Sequence, residues 1–430
     1  MEWLTDATTA SLREAAALNT TEWVLRCAVA GHGEVERRPG VTWTQHAGGS
    51  AVLFPRFADD RCSERIEEFI TYFRDRQPSD LVGCWSLDPP VPPDLGARLL
   101  ARFQPGWQPH WMCLDLSRSP HVERGRDGHV AMVEDGSIWE RFDHPYLAPN
   151  EGPNWREQAK VKHAVAEIRP QHVWHFASWL DGRPVGAATL HLTTGPLGVA
   201  GIYDVGVLPD MRRRGIGASV SVHACDFARA WGCRYAVLNA TGMGEPVYRS
   251  IGFESIGHGL TWWLNVPRLN AHPPTELQVA LAEAVGRGDV VGLDALSKRV
   301  TGELLDQPLT NGMRLLEIAQ DLQQQGSARW LCGHGASVGL LLAWDLGWKD
   351  RVLDLIRSDP GLINRPFGDE RATALHHAVW RGDIELARLL LTHGADATIP
   401  DGVDGSTPLL FAQQRGRTEI LAMMEAIRRG

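Results

Sequence analysis

Two stretches near the C-terminus repeat one another. Thr373-Ala374-Leu375-His376 and Thr407-Pro408-Leu409-Leu410 stand 34 residues apart, and so do Gly382 and Gly416. A period near 33 means stacked units, each too small to bury its own apolar face. It confines the end of the chain to a helical solenoid and leaves the rest to fold otherwise. In TALHHAVWRGDIELARLLLTHGADA, Thr373 can cap a helix whose inner face is Leu375, Ala378 and Val379. Gly382 makes the turn, Ile384, Leu386, Leu389 and Leu390 build a second helix, and Gly394 ends it in a left-handed conformation. The next copy spans 406–427, and weaker ones span 280–296, 315–336 and 338–363. Between Gly335 and Gly347 the chain is too short for a full hairpin finger.

At 430 residues the chain exceeds one compact core, and about two to four domains are expected. Its hydrophobic fraction, 43%, and charged fraction, 22%, fit a globular protein. The net charge of −9 argues against a nucleic-acid or anionic-membrane surface and suits an amine-bearing partner. The seven cysteines are scattered and form no CxxC pair, which fits reduced cytoplasmic thiols and no metal site. The first residues lack a basic and apolar leader, and no run reaches the ~18 apolar residues of a membrane span. The expectation is a cytoplasmic protein without membrane or nucleic-acid partners. The 17 tryptophans read as core and interface fillers.

Ahead of the repeats, two regions alternate helix and strand signals. In the first, 1–117, helices are expected at 10–28, 63–76 and 92–103, and strands at 41–48, 50–54, 81–87 and 111–116. In the second, 118–267, strands are expected at 129–135, 173–192, 198–207 and 234–240, and helices at 155–168, 216–231 and 245–250. Asp181-Gly182 splits the 173–192 stretch into a hairpin. A Pro- and Asn-rich linker at 268–275 leads into the repeat region, 276–430.

The chemistry concentrates at Val207-Leu208-Pro209-Asp210-Met211-Arg212-Arg213-Arg214-Gly215-Ile216-Gly217-Ala218. A strand ends, a turn follows and a helix starts. Backbone amides at such a helix start are unpaired and sit at the positive end of the dipole, where they can cradle a pyrophosphate. Gly215 and Gly217 admit phosphate oxygens to the backbone, and the arginines add charge. Downstream stand Tyr235-Ala-Val-Leu-Asn239-Ala-Thr241 and Pro246-Val-Tyr248-Arg-Ser-Ile-Gly252-Phe253.

The first motif resembles the acyl-CoA signature of GCN5-related N-acetyltransferases (GNAT), (Arg/Gln)-x-x-Gly-x-(Gly/Ala), at Arg212, Gly215 and Gly217. The second resembles that family's Tyr-x-x-x-Gly-Phe. The resemblance implies an α+β fold, a central mixed sheet flanked by helices. It also implies an enzyme that moves an acyl group from acetyl-CoA or another acyl-CoA, without a metal, to an amine on a small molecule or peptide. It assigns the leaving-group acid to Tyr248, since a phenol can donate without being ionised at neutral pH. It assigns coenzyme contacts to Val205, Gly206 and Val207, to Arg212–Ala218 and to Asn239. Asp204 is the best-placed base by sequence. His191, His223 and Glu245 are fallbacks, and a water relay without a single base is also open. Two rival readings stand beside the enzyme: an acyl-CoA sensor that has lost turnover, and a transferase using a long-chain or carrier-protein donor.

The first region is similar to the degenerate N-terminal half of tandem GNAT proteins. It has no Arg-x-x-Gly-x-Gly after any strand, so it is expected to shape the cleft rather than bind CoA. The solenoid closely resembles ankyrin repeats, which implies a concave surface for a protein partner or substrate. Its expected contact positions are Gly286 and Arg287, Asp345 and Leu346, Trp380 and Arg381, and Gln414 and Arg415.

Overall fold

The computed structural model describes residues 2–46, 49–57, 61–78, 81–118, 129–150 and 154–429. The chain divides into two compact units, one of residues 1–276 with 310–312 and one of 277–309 with 313–430.

The first unit opens with α1 (Thr9–Ala30), started by a reciprocal cap between Thr8 and Ser11. Strands β1 (Glu34–Arg38), β2 (Val41–His46) and β3 (Gly49–Leu53) follow, then α2 (Cys62–Arg76) and β4 (Val82–Leu87). In α2, Ile66, Phe69, Ile70 and Phe73 recur at helical spacing and are buried as one face. The expected helix at 92–103 is only α3 (Leu95–Leu99). The carbonyls of Leu100 and Phe103 instead accept from the Asn311 side-chain amide at 2.7 Å each. Then come β5 (Gln104–Pro105), β6 (His110–Asp115), β7 (His129–Met132), α4 (Ile138–Arg141), α5 (Leu147–Asn150) and α6 (Trp155–Ala164). They are followed by β8 (Val173–Leu180), β9 (Arg183–Leu192), β10 (Ala200–Val207), α7 (Ile216–Ala230), β11 (Tyr235–Ala240), α8 (Glu245–Ile251), β12 (Glu254–Leu264) and α9 (Val266–Ala271). Asp181 and Gly182 both take positive φ, 48° and 76°, as the two-residue hairpin requires. Part of the expected linker is helical, because Asn265 caps α9 by accepting from the Arg268 amide at 3.0 Å.

The strands form one mixed sheet in the order β1-β2-β3-β4-β12-β6-β11-β10-β9-β8-β7, with β5 beside β12. The order contains one pattern twice. An antiparallel trio (β1-β2-β3; β8-β9-β10) is followed by a helix (α2; α7) and a strand parallel to the third (β4; β11). The closing strands are exchanged. β6 pairs with β11, and β12 pairs with β4 through its second half and with β6 through its first. The exchange joins the two halves into one sheet. α1 covers one face, with Ala15 and Ala16 packed among Trp111, Cys113, Val237 and Ile256. α7 and α8 cover the other, over Met112, Leu114, Leu190, Ile202 and Leu238.

The second unit is helical. Its pairs are α10 (Glu276–Arg287) with α11 (Val290–Leu296), α13 (Leu315–Asp321) with α14 (Gln325–Gly333), and α15 (Leu340–Asp345) with α16 (Lys349–Ser358). α17 (Ala374–Arg381) pairs with α18 (Ile384–Thr392) and α19 (Pro408–Gln414) with α20 (Thr418–Arg429), while a short α12 (Gly302–Asp306) stands between the first two pairs. Gly382 ends α17 at φ 70° and Gly394 follows α18 at φ 93°, both left-handed. Neighbouring repeats are joined through the buried His376, whose ring caps its own helix at Thr373 and reaches the Ser406 carbonyl at 3.0 Å. Among the described residues no helix is long and apolar enough to cross a membrane.

Candidate active site

β10 carries the centre of the site. It pairs with β9 from Ala200↔Leu192 to Tyr203↔Thr189 and resumes at Gly206↔Ala187. Asp204 and Val205 fall in the resulting bulge, with Asp204 at φ 50°. On its other side β10 pairs with β11 only at Ala200↔Ala236 and Gly201↔Val237. Beyond those pairs the two parallel strands diverge, so the stretches from Ile202 and from Leu238 border a slot in the sheet. The equivalent strands of the first half stay together. β3 and β4 pair at four successive positions, and the Phe54 amide extends the ladder to the Trp85 carbonyl at 2.8 Å. That half has no slot between its parallel strands.

The slot leads to the start of α7. Arg213 and Gly215 take φ of 63° and 78°, which turns the chain sharply after Met211. The Arg212 Nε–H donates to the Val207 carbonyl at 3.2 Å and ties the turn to the end of β10. Arg212, Arg213, Arg214 and Gly215 are exposed. No side chain caps α7, so the first-turn amides at Ile216, Gly217 and Ala218 are not consumed by a cap.

On β11, Asn239 has a buried side-chain oxygen with no hydrogen-bond partner among the described residues. A buried acceptor left unmatched is uncommon and marks a place where a ligand donor would be favoured. Tyr248, on α8, packs against Phe253 at 5.8 Å. Burial pushes its phenol well above the usual range, so it stays protonated at neutral pH. Gly244 makes room for that ring: an added β-carbon would stand 2.9 Å from Tyr248 Cε2. At the end of β11, Ala240 faces His110 of β6. The His110 ring lies 3.2 Å from Glu245 and 2.8 Å from the Ser255 hydroxyl, and it stacks on His258 at 4.6 Å. Of these four side chains the sequence singled out Glu245 alone, as one of its three fallback bases. His110 is supplied by the exchanged strand, and no local motif marks it.

Asp204 is not free to act as a base. Its carboxylate accepts from Lys162 Nζ at 2.8 Å, and the Thr189 hydroxyl lies 3.4 Å away. Burial alone would raise its pKa, but the Lys162 ammonium outweighs it and holds the group below the usual range. An acid that is already a paired anion has little affinity for another proton. The network continues through His175, which reaches Thr189 at 2.9 Å and the Lys162 carbonyl at 3.1 Å. Burial pushes His175 down to about 4 and His144 down to about 3, so both are neutral. Pro145 and Tyr146 press on the bulge: a β-carbon at Gly206 would stand 2.5–2.6 Å from their backbone atoms.

The fallback histidines lie elsewhere. His191 is fully buried on β9 with both ring nitrogens unpartnered among the described residues, and His223 packs edge-on to Phe176 at 5.2 Å. In the second unit, Arg287, Asp345, Trp380, Arg381, Gln414 and Arg415 are exposed, whereas Gly286 and Leu346 are buried and cannot meet a partner. Trp380 is 55% exposed, with the Arg415 guanidinium 6.0 Å above its ring. Arg381 pairs with Asp345 of the preceding repeat at 2.6 Å.

Residues 137–253 match the sequence model of the Acetyltransferase (GNAT) family, and residues 340–425 match three copies of the ankyrin repeat. The chain thus carries a GNAT acetyltransferase domain followed by ankyrin repeats. It is 33% identical over 84 residues to glucosamine 6-phosphate N-acetyltransferase of Trypanosoma brucei brucei, covering 19% of this chain and 57% of that enzyme. It is 51% identical over 69 residues to potassium channel AKT3 of Oryza sativa subsp. japonica, covering 16% of this chain and 8% of the channel. The chain therefore spans less than two thirds of either relative. A GCN5-related N-acetyltransferase from Kribbella flavida aligns in structure over 60% of this chain and 96% of that one, at 16% identity and a TM-score of 0.46.

Proposed function

We propose that the chain is an acyl-CoA-dependent N-acyltransferase, with acetyl-CoA as donor and an amine of a small molecule or peptide as acceptor. The observation that carries this reading is the divergence of β10 from β11 after Gly201 and Val237, opening toward an α7 start with no side-chain cap. The residues fit the coenzyme. Amides at Ile216–Ala218 with Arg212–Arg214 suit a pyrophosphate, the freed edge of β10 at Val205–Val207 suits the amides of a pantetheine arm, and the unmatched Asn239 oxygen suits one of its N–H groups. Bound acyl-CoA supplies an activated thioester carbonyl. In the chain, a backbone amide near Val205–Val207 polarises that carbonyl as the amine attacks, in a ternary complex without an acyl-enzyme. Tyr248 donates its proton to the departing sulfur.

With Asp204 committed to Lys162, the ammonium proton of the acceptor leaves to water or to His110, which Glu245 orients. The first half, 1–117, closes the cleft and binds no coenzyme. The ankyrin repeats assist substrate or partner choice through Arg287, Asp345, Trp380, Arg381 and Gln414.

The test is thiol release from acetyl-CoA by the full chain, assayed against a panel of amines that includes amino sugars, polyamines and peptide N-termini. Acceptor-dependent release supports transfer. Coenzyme binding without release by any amine would favour a sensor.

A further inference from the structure

A cavity of about 230 Å³ lies in the first half of the sheet. It sits beyond the C-terminal ends of the parallel strands β3 and β4, against α1. Ligands in mixed and parallel sheets favour this end of the strands. Here the strands stay paired, so no slot runs into the sheet, and the volume suits a small metabolite rather than a coenzyme.

Among the described residues its charges do not balance. Glu14 and Arg56 neutralise each other at 2.5–2.7 Å. Arg13 also lines the cavity and has no ion pair among the described residues. Its Nε is buried without an acceptor among the described residues, and the head of the side chain lies over β12 where its pairing with β6 shifts register between Ser255 and Gly257, 3.5 Å from where a β-carbon of Gly257 would stand. A desolvated guanidinium donor with no partner is costly unless something else accepts from it. The remaining walls are mostly apolar, with Phe54, Leu87 and Val91, and the Ser86 hydroxyl among them is spent on the Leu87 carbonyl at 2.9 Å. One uncompensated positive charge matches a monoanion rather than a phosphate dianion, and a planar fork matches a carboxylate.

We propose that this cavity binds a small carboxylate with an apolar body, held by Arg13, at a site separate from the acyl-CoA slot. It does not depend on whether the second half transfers acyl groups.

The experiment uses the full chain with benzoate as probe and benzamide as its uncharged control, followed by calorimetry and thermal shift. Benzoate is expected to bind and raise Tm, benzamide to do neither, and saturating coenzyme A not to displace the probe. Arg13→Met should weaken benzoate at least tenfold while coenzyme A affinity stays within twofold. Ala10→Trp, at an exposed rim position, should block benzoate without touching the guanidinium and decides the matter if the arginine variant fails to fold. Absence of benzoate binding to the wild type, equal binding by either variant, or displacement by coenzyme A would each overturn the proposal.

Discussion

Tyr203 on β10 and Tyr248 on α8 have different fates. The Tyr203 hydroxyl donates to Asn19 at 2.6 Å and contacts Thr20 at 3.2 Å, and its ring stacks on Trp23 at 5.3 Å. It is a structural tyrosine. The Tyr248 hydroxyl has no hydrogen-bond partner among the described residues, and its burial keeps the proton on. That is the state a leaving-group acid needs. Tyr248→Phe is therefore expected to lower kcat about 100-fold and leave coenzyme A affinity within twofold, because an interaction made only in the transition state is removed. Thiol-release kinetics beside calorimetry measure both quantities, and an unchanged kcat would remove Tyr248 from the chemistry. Asp204 shows the limit of reading a role from position alone. Its place on the strand proposed to hold the coenzyme was visible in the sequence, but its partner Lys162 lies 42 positions away on α6. Only the folded chain reveals that the carboxylate is already spent.

At the scale of elements, the β10 bulge and the start of α7 form one device in the proposed site. The bulge breaks the β9 ladder for two residues, and Gly206 re-enters it beneath the backbone of Pro145 and Tyr146. A methyl at Gly206 would meet backbone atoms that have no soft rotamer to yield. Gly206→Ala should cost about 1–3 kcal/mol in urea unfolding and weaken coenzyme A at least tenfold. Retention of both would show that the bulge is not tuned to the slot. Much of this device was legible: the Arg212-x-x-Gly215-x-Gly217 turn, the 216–230 helix, the Asp181-Gly182 hairpin and the 34-residue repeat each leave a local mark. β12 did not. Its Gly257 and Gly259 interrupt the alternation by which a strand is recognised: Gly257 takes a φ of 120°, and a β-carbon at Gly259 would stand 2.6 Å from Trp111 Nε1. β1, as Glu-Val-Glu-Arg-Arg, is too charged and short to read as a strand. The exchange of β6 and β12, and with it the placing of His110, is a matter of pairing between distant segments and has no local signature.

Among the described residues of the first unit, three histidines are buried in neutral form: His144 and His191 pushed down to about 3 and His175 to about 4, in each case chiefly by burial. Unfolded, each takes a proton near pH ~6.5. Below that pH the unfolded chain binds protons that the folded chain refuses, so stability is intact above ~6.5 and falls as pH drops toward 4. Each histidine contributes up to about 1.4 kcal/mol per pH unit. Urea midpoints are expected to fall steeply from pH 7 to pH 5, and a flat profile would mean that these rings are protonated in the fold. The reach of the unit along the chain also bears on truncation. Thr310–Gly312 belong to it, and Asn311 satisfies two of its carbonyls, so a cut at 276 removes part of the first unit.

The two halves repeat one topology, but only the second parts its parallel strands. Calorimetric titration of coenzyme A into the full chain measures this difference most directly. One molecule bound per chain is the predicted result. A stoichiometry of two would mean that the first half also holds the coenzyme, and no binding at all would contradict the assignment of the slot.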